Sequence, residues 1–129
     1  MIVVDASVIL HALLEGPKDR DFLDRLQNEG ELFAPEVIYL EVSSGMRRQV
    51  RLKQLSQDHA RAAIQDLQAY PINIKSISNL VERIWDIRDN FTSYDASYIV
   101  LAECLRMPFL TRDQKLAAAV RAHTKVELI

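Results

Sequence analysis

The sequence of 129 residues is poor in the residues that cross-link small proteins or interrupt regular structure. It has one cysteine, Cys104, so an internal disulfide is impossible, and this usage is typical of a reducing compartment. Cys104 lies in an apolar helical stretch, which predicts a buried side chain. With only three glycines and four prolines, we expect short connections and many helices.

Long apolar runs and a leader pattern are also lacking. The N-terminus has no basic region, and its apolar run is interrupted by a carboxylate at Asp5, so it does not resemble a signal peptide. No stretch is long and apolar enough to span a bilayer. We therefore expect a cytoplasmic protein with no membrane association.

Neither sign of charge predominates. The formal net charge is −2, which neither supports nor excludes a nucleic-acid substrate. Any attraction for phosphate must come from a local basic cluster or from a bound metal ion. Hydrophobic residues make up 49% of the chain and charged residues 26%. This balance and the length predict one globular domain over residues 1–129.

Several patterns of well-known catalytic sites are absent. The three histidines do not combine with Cys104 in any zinc-ligand spacing. There is no glycine-rich phosphate loop with its lysine, and no serine nucleophile elbow. These absences argue against zinc, P-loop and serine-hydrolase chemistry.

Short apolar runs alternate with helical patterns along the chain. Helices fill the spaces between the runs, and one of them begins at Pro35 and continues to about Arg51. This alternation predicts a three-layer α/β/α domain with a central parallel sheet of about four to five short strands flanked by helices. The predicted strands are 2–4, 32–34, 72–74, 109–111 and 126–129.

Three aspartates are placed to reach the edge of the sheet where the strands end. Asp5 follows the first strand directly, Asp113 follows the 109–111 strand, and Asp95 lies in the first turn of a helix that starts near this edge. Functional sites of open α/β sheets lie there. Each aspartate also has an ordinary interpretation as a helix cap. Thr92 and Asp95 even have the spacing of a capping box.

Glu41 differs from the aspartates because it lies inside a helix. Its neighbours three and four residues away are apolar or small, which predicts partial burial. A buried carboxylate needs a cation, a partner or a raised pKa. The alternatives are an ion pair, for example with Arg48, or an exposed position beside the apolar stripe. Four acids at one edge would repel each other without a cation, and a bound Mg²⁺ or Mn²⁺ would suit phosphodiester hydrolysis.

These residues resemble the motifs of PIN-domain nucleases. The similar segments occur in the family's order over nearly the whole chain, and a short chain of this kind most resembles the VapC-type toxins of toxin–antitoxin pairs. The segments are 2–8, 35–48, 92–102 and 110–113.

The resemblance implies a PIN-like fold and Mg²⁺- or Mn²⁺-dependent endoribonuclease activity. It also implies a homodimer, an RNA substrate and an antitoxin whose tail covers the active-site groove. Many family members have a further acid after the last motif, whereas Gln114 and Lys115 follow Asp113, which favours one metal ion over two. The implied catalytic acids are Asp5, Glu41, Asp95 and Asp113, the implied metal ligands are Asp5, Asp95 and Asp113, and the supporting hydroxyls are Ser7 and Thr111.

Arg47 and Arg48 belong to the most basic local run of the sequence. They follow Glu41 along the same helix, so they are candidate contacts for RNA phosphates. The alternative is a solvated helix end with favourably placed cations.

Two other functions stay open at this point. One is a PIN-like module that binds a partner without catalysis. The other is a phosphoacceptor receiver domain, which also has an acid after its first strand. A receiver needs an aspartate after its middle strand, but Lys75 and Ser76 follow the 72–74 strand.

Overall fold

The centre of the fold is a sheet of four short parallel strands, seen in a computed structural model that describes all 129 residues. The order across the sheet is β3-β2-β1-β4. The strands are β1 (Ile2–Val4), β2 (Leu32–Pro35), β3 (Ile72–Lys75) and β4 (Phe109–Leu110). The fifth strand expected at 126–129 is reduced to one parallel bridge between Phe109 and Leu128.

Seven helices flank this sheet. α6 packs against β1, β2 and β4, while α1 packs against α3 and α4. This arrangement confirms the predicted α/β/α fold with a parallel sheet. The helices are α1 (Ala6–Leu14), α2 (Arg20–Asn28), α3 (Val37–Arg51), α4 (Gln57–Ala69), α5 (Val81–Asp86), α6 (Ser93–Leu105) and α7 (Gln114–His123).

β1 and most of α6 belong to the buried core. Every residue of β1 is buried, and α6 is buried continuously over residues 96–102. A helix that is apolar on all sides belongs in a core. Thr92 fixes the start of α6, because its Oγ1 accepts the backbone N–H of Asp95 at 3.1 Å. The end of β1 and the start of α6 therefore carry Asp5 and Asp95 into the same region.

Two local expectations are wrong. Pro35 is the last residue of β2 rather than the first of a helix, and α3 begins at Val37. Cys104 is exposed, because the buried stretch of α6 ends at Ala102 and the last turn of the helix emerges from the core. No helix in the structure has the length and apolar character needed to cross a bilayer.

Helices α1 and α3 meet closely at Gly45. A Cβ atom placed there would lie 2.5 Å from Leu10 Cδ1, well inside van der Waals contact. The missing side chain therefore lets α3, which carries Glu41, approach α1, which starts beside Asp5.

We predict that Gly45→Val lowers the free energy of unfolding by about 1–3 kcal/mol, because the branched side chain must displace Leu10 in a packed contact. The matched control is Ser44→Val, at an exposed position of the same helix. Serine and valine have similar helix propensities, so this control should be almost neutral. Urea denaturation of both variants measures the difference. Equal stability of the two would mean that α1 and α3 do not need the glycine.

Candidate active site

Asp5 is held by hydrogen bonds on both of its carboxylate oxygens. Oδ1 accepts the backbone N–H groups of Ser7 at 3.0 Å and Val8 at 3.3 Å, which caps α1. The Ser7 hydroxyl also donates to Oδ1, and the Thr111 hydroxyl donates to Oδ2. The side chain is only 6% exposed. The helix-cap interpretation of Asp5 is therefore correct, but the cap lies inside a larger polar cluster.

The same two hydroxyls join the loop after β4 to the loop after β1. Ser7 Oγ accepts the backbone N–H of Arg112 at 2.8 Å, and Thr111 Oγ1 accepts that of Asp113 at 3.0 Å. The two hydroxyl oxygens lie 3.5 Å apart. These contacts place Asp113 beside Asp5, although the two residues are far apart in the sequence.

Asp113 caps α7 in the same way that Asp5 caps α1. Its Oδ1 accepts the backbone N–H groups of Lys115 at 2.9 Å and Leu116 at 3.1 Å. The side chain is exposed to solvent. Its other oxygen makes no hydrogen bond within the protein, so it is free to contact an ion or a substrate.

Glu41 lies half-buried on α3 and has a different partner from the one considered in the sequence. Its Oε1 accepts a hydrogen bond of 2.6 Å from the Tyr98 hydroxyl, and no ion pair joins Glu41 to Arg48. Sequence reasoning missed this contact. The available signal was the position of Tyr98 on α6, three residues after Asp95 and therefore on the same side of that helix.

Burial raises the pKa of three of the four acids above the ordinary carboxyl range. For Asp5, burial outweighs the hydrogen bonds that lower the pKa. For Asp95, burial acts first, and the negative charges of Asp113 and Asp5 raise the pKa further. For Glu41, burial again acts first, and the charges of Asp95 and Asp5 oppose the lowering by Tyr98. The four acids therefore lie close enough to repel one another.

A shared cation would relieve this repulsion. No group of three His, Cys, Asp or Glu side chains is arranged to ligate one ion directly. Mg²⁺ retains several waters and commonly takes only one or two protein carboxylates, so a hydrated ion fits the spacing of these acids. The donor set is entirely oxygen, which suits Mg²⁺ or Mn²⁺ rather than zinc.

Of the two arginines proposed as RNA contacts, Arg47 lies in a cleft apart from the acids. Arg47 lines a cleft between α3 and α4, together with Arg51 and Arg61, and none of the four acids lines that cleft. Arg48 is exposed and lies seven residues after Glu41, about 10 Å further along the helix. Because seven residues are almost two full helical turns, Arg48 lies on the same face of α3 as Glu41, and the proposed contacts of both arginines with RNA stay predictions.

The comparisons with known proteins agree with this architecture. A family model described as the PIN domain matches residues 2–122. The chain belongs to the PIN-domain family. Ribonuclease VapC9 from Mycobacterium tuberculosis is 34% identical to it over 129 residues, which covers 100% of this chain and 98% of the relative. This PIN-domain chain is thus similar over its full length to a VapC ribonuclease, and VapC nucleases are generally dependent on a divalent metal ion.

Solved structures show the same PIN-domain fold. A protein of Pyrobaculum aerophilum, PAE2754, has a TM-score of 0.70 at 21% identity, over 98% of this chain and 81% of its own. A toxin–antitoxin complex from Klebsiella pneumoniae gives 0.62 at 22% identity, over 92% of this chain and 91% of its own. The receiver-domain alternative is wrong, because β1 lies between β2 and β4 here, whereas the receiver order places β1 between β2 and β3.

The raised pKa values determine how the stability of the metal-free PIN domain depends on pH. A carboxyl group with a raised pKa binds its proton more tightly in the folded than in the unfolded state. Its contribution to stability is complete below its usual pKa and is lost as the pH rises through the raised value. The stability that Asp5, Glu41 and Asp95 contribute to the metal-free protein should therefore fall as the pH rises above about 4.

We predict that Asp95→Asn stabilises the chelator-treated protein at pH 7, since it removes one of the repelling charges. Solvent screens this half-exposed site, so the gain should be about 0.5–1 kcal/mol. Thermal melts at pH 7 and pH 4 measure it, and the gain should shrink at pH 4. Asp66→Asn on the exposed side of α4 is the matched control. A loss of stability in Asp95→Asn at pH 7 would contradict the proposed repulsion.

Proposed function

We propose that this chain is a single-domain endoribonuclease that depends on Mg²⁺ or Mn²⁺ and acts as the toxin of a VapBC-type toxin–antitoxin pair. The observation that carries the proposal is the set of four acids that repel one another beside the ends of β1 and β4. The full-length similarity to a VapC ribonuclease supports the RNA substrate.

The four acids would take two roles. Asp5, Asp95 and Asp113 would hold the hydrated ion, in part through its bound waters, and Glu41 would complete the acidic site from α3. When bound, the ion would neutralise the acids and stabilise negative charge that develops on a phosphate oxygen. Ser7 and Thr111 would act as supporting hydroxyls, because both donate to Asp5 and keep its carboxylate in one orientation.

Asp95 is the best candidate for the group that orients and deprotonates the attacking water. Its carboxylate interacts with one hydroxyl of the protein, that of Thr92, and burial raises its pKa, which makes it a better base than an ordinary aspartate. Water attack in line with the leaving oxygen leaves a 5′-phosphate and a 3′-hydroxyl. Attack by the ribose would instead leave a 2′,3′-cyclic phosphate.

The proposal also includes two protein partners, an antitoxin and a second copy of this chain. We infer a cognate antitoxin, which the fold likeness to the Klebsiella pneumoniae toxin–antitoxin complex supports. We also infer a homodimer, and a cytoplasmic location that agrees with the single unpaired cysteine. Large apolar side chains that are exposed in the single chain are candidate contacts for such partners, namely Leu40, Trp85 and Tyr94.

The proposal predicts metal-dependent cleavage of RNA. Purified protein incubated with a pool of tRNA and ribosomal RNA should cut it with Mg²⁺ or Mn²⁺ and not with chelator. Asp95→Asn should reduce the rate by at least about 100-fold, as expected for loss of a general base. End mapping should find 5′-phosphates.

Asp66→Asn is the control for this assay, and it should cleave like the wild type. Cleavage that survives both chelator and Asp95→Asn would mean that the carboxylate site is wrong. A folded, antitoxin-free protein that cleaves nothing with either metal would favour the PIN-like module without catalysis.

A second prediction concerns Tyr98, which acts through Glu41. Tyr98→Phe removes the hydroxyl that stabilises the ionised Glu41, so the pKa of Glu41 should rise further. We expect the acid limb of the cleavage pH profile to move to higher pH, and the rate at pH 7 to fall about ten-fold, as for a lost hydrogen bond to a charged group. The control is Tyr94→Phe, an exposed position on the same helix. An unchanged profile would show that Glu41 does not need Tyr98.

A further inference from the structure

Arg112 lies within the candidate active site but was not singled out by the sequence. It stands between Thr111 and Asp113, and its backbone N–H donates to Ser7 Oγ, which itself donates to Asp5. The side chain is exposed and forms no ion pair in the structure. Its charge helps to lower the pKa of Asp19 without an ion pair between them, and its backbone is tied to the cluster of acids.

The guanidinium of Arg112 packs on an aromatic ring. Its Cζ atom lies 5.3 Å from the centroid of Phe22, within the range of a cation–π contact. A guanidinium packed against a ring face keeps its N–H donors free for other partners. The contact thus restricts the direction of the side chain without using its hydrogen-bonding capacity.

Phe22 is held in turn by a contact between α1 and the start of α2. Asp19 Oδ1 accepts the backbone N–H of Phe22 at 3.2 Å, and its Oδ2 lies 2.8 Å from His11 Nε2. The His11 ring packs edge-on against Phe22, with the centroids 4.6 Å apart. The aromatic support for Arg112 is therefore anchored to α1, the helix that Asp5 caps.

An acidic site needs a nearby cation such as Arg112 if its substrate is a polyanion. The four acids repel phosphates, and a single divalent ion acts only on the phosphate nearest to it. Phosphates on either side of the cut need a separate cation to hold the chain in register. Arg47 and Arg51 of α3 line a cleft that none of the acids lines, whereas Arg112 is part of the same loop as Asp113.

We propose that Arg112 is a phosphate-binding residue of the substrate site, positioned by Phe22, that contacts a backbone phosphate of RNA next to the one that is cut. This proposal rests on the proposed ribonuclease function and adds a subsite to it. A phosphate contact is independent of sequence, so it should be detectable with bulk tRNA.

The test compares Arg112→Ala, Arg112→Lys and the control Arg121→Ala in cleavage and in binding. Arg121 is an exposed arginine without an ion pair on α7, about 10 Å along the helix from its start. Cleavage gives kcat and KM on the RNA pool with Mg²⁺. Binding of labelled bulk tRNA is measured at several salt concentrations in the Asp95→Asn background.

We expect Arg112→Ala to raise KM about ten-fold or more with little change in kcat, as for loss of a charged contact made equally in the ground and transition states. The slope of log affinity against log salt concentration should fall by roughly 0.7–0.9, the value for one lost phosphate contact. Arg112→Lys should retain the slope and lose part of the affinity. Arg121→Ala should resemble the wild type in all of these measurements.

Variants of Phe22 test whether its ring positions the Arg112 side chain. Phe22→Leu removes the ring and should raise KM about two- to five-fold, the usual size of an exposed cation–π contact. Phe22→Tyr keeps a ring and should restore KM. Melting temperatures of all variants monitor the fold.

The outcomes separate this proposal from the ribonuclease function. If the wild type cleaves RNA but Arg112→Ala matches Arg121→Ala in KM and in salt slope, the Arg112 proposal alone is overturned. The same holds if Arg112→Ala lowers the melting temperature and kcat while the salt slope stays unchanged, since that pattern indicates a purely structural contact. A wild type that neither cleaves nor binds RNA would overturn both.

Discussion

The structure of the site depends on the hydrogen bonds that hold Asp5 at the end of a buried strand. A carboxylate that is 6% exposed would be unstable without partners. Backbone N–H groups of α1 and the hydroxyls of Ser7 and Thr111 supply them. Because Thr111 belongs to the loop after β4, the hydrogen bonds that stabilise the buried carboxylate of Asp5 also fix the position of Asp113. One buried charge thus organises two loops from opposite ends of the chain.

Helix capping and metal chemistry are compatible roles for these acids rather than alternatives. Asp5 and Asp113 each use Oδ1 to cap a helix, which sets the direction of the remaining oxygen. Asp95 contributes no cap by its side chain, and its helix starts instead from Thr92. The caps stabilise α1 and α7, while burial and the charges of neighbouring acids raise the pKa of Asp95 and Glu41. Functional sites commonly combine local strain with support from the surrounding structure.

The sequence predicts those strands and helices whose pattern is visible over a few consecutive residues. The apolar run before Asp5, the cap at Thr92 and the alternation of strands and helices are all visible in short windows, and the fold follows from them. Contacts between distant segments leave no such signal. The sequence pattern predicts an ordinary core position for Tyr98. Its hydrogen bond to Glu41 forms only because the fold brings α6 next to α3. The predicted strand at 126–129 is wrong, since only one bridge forms there, at Leu128. Whether so short a segment pairs with the sheet depends on tertiary packing, which the local sequence pattern does not show.

The formal charge of −2 illustrates why bulk composition says little about an RNA-binding site. The four acids concentrate negative charge where phosphates must approach, so affinity depends on where the cations lie rather than on how many there are. The arginines of α3 occur in a conspicuous run, yet Arg47 faces α4. Arg112 stands alone in the sequence, but the Phe22 ring and the Ser7 hydroxyl hold it at the site. A cation that the fold itself orients loses less entropy on binding phosphate than a flexible exposed one. One oriented arginine can therefore contribute more to phosphate binding than an arginine in a basic run that the fold does not orient.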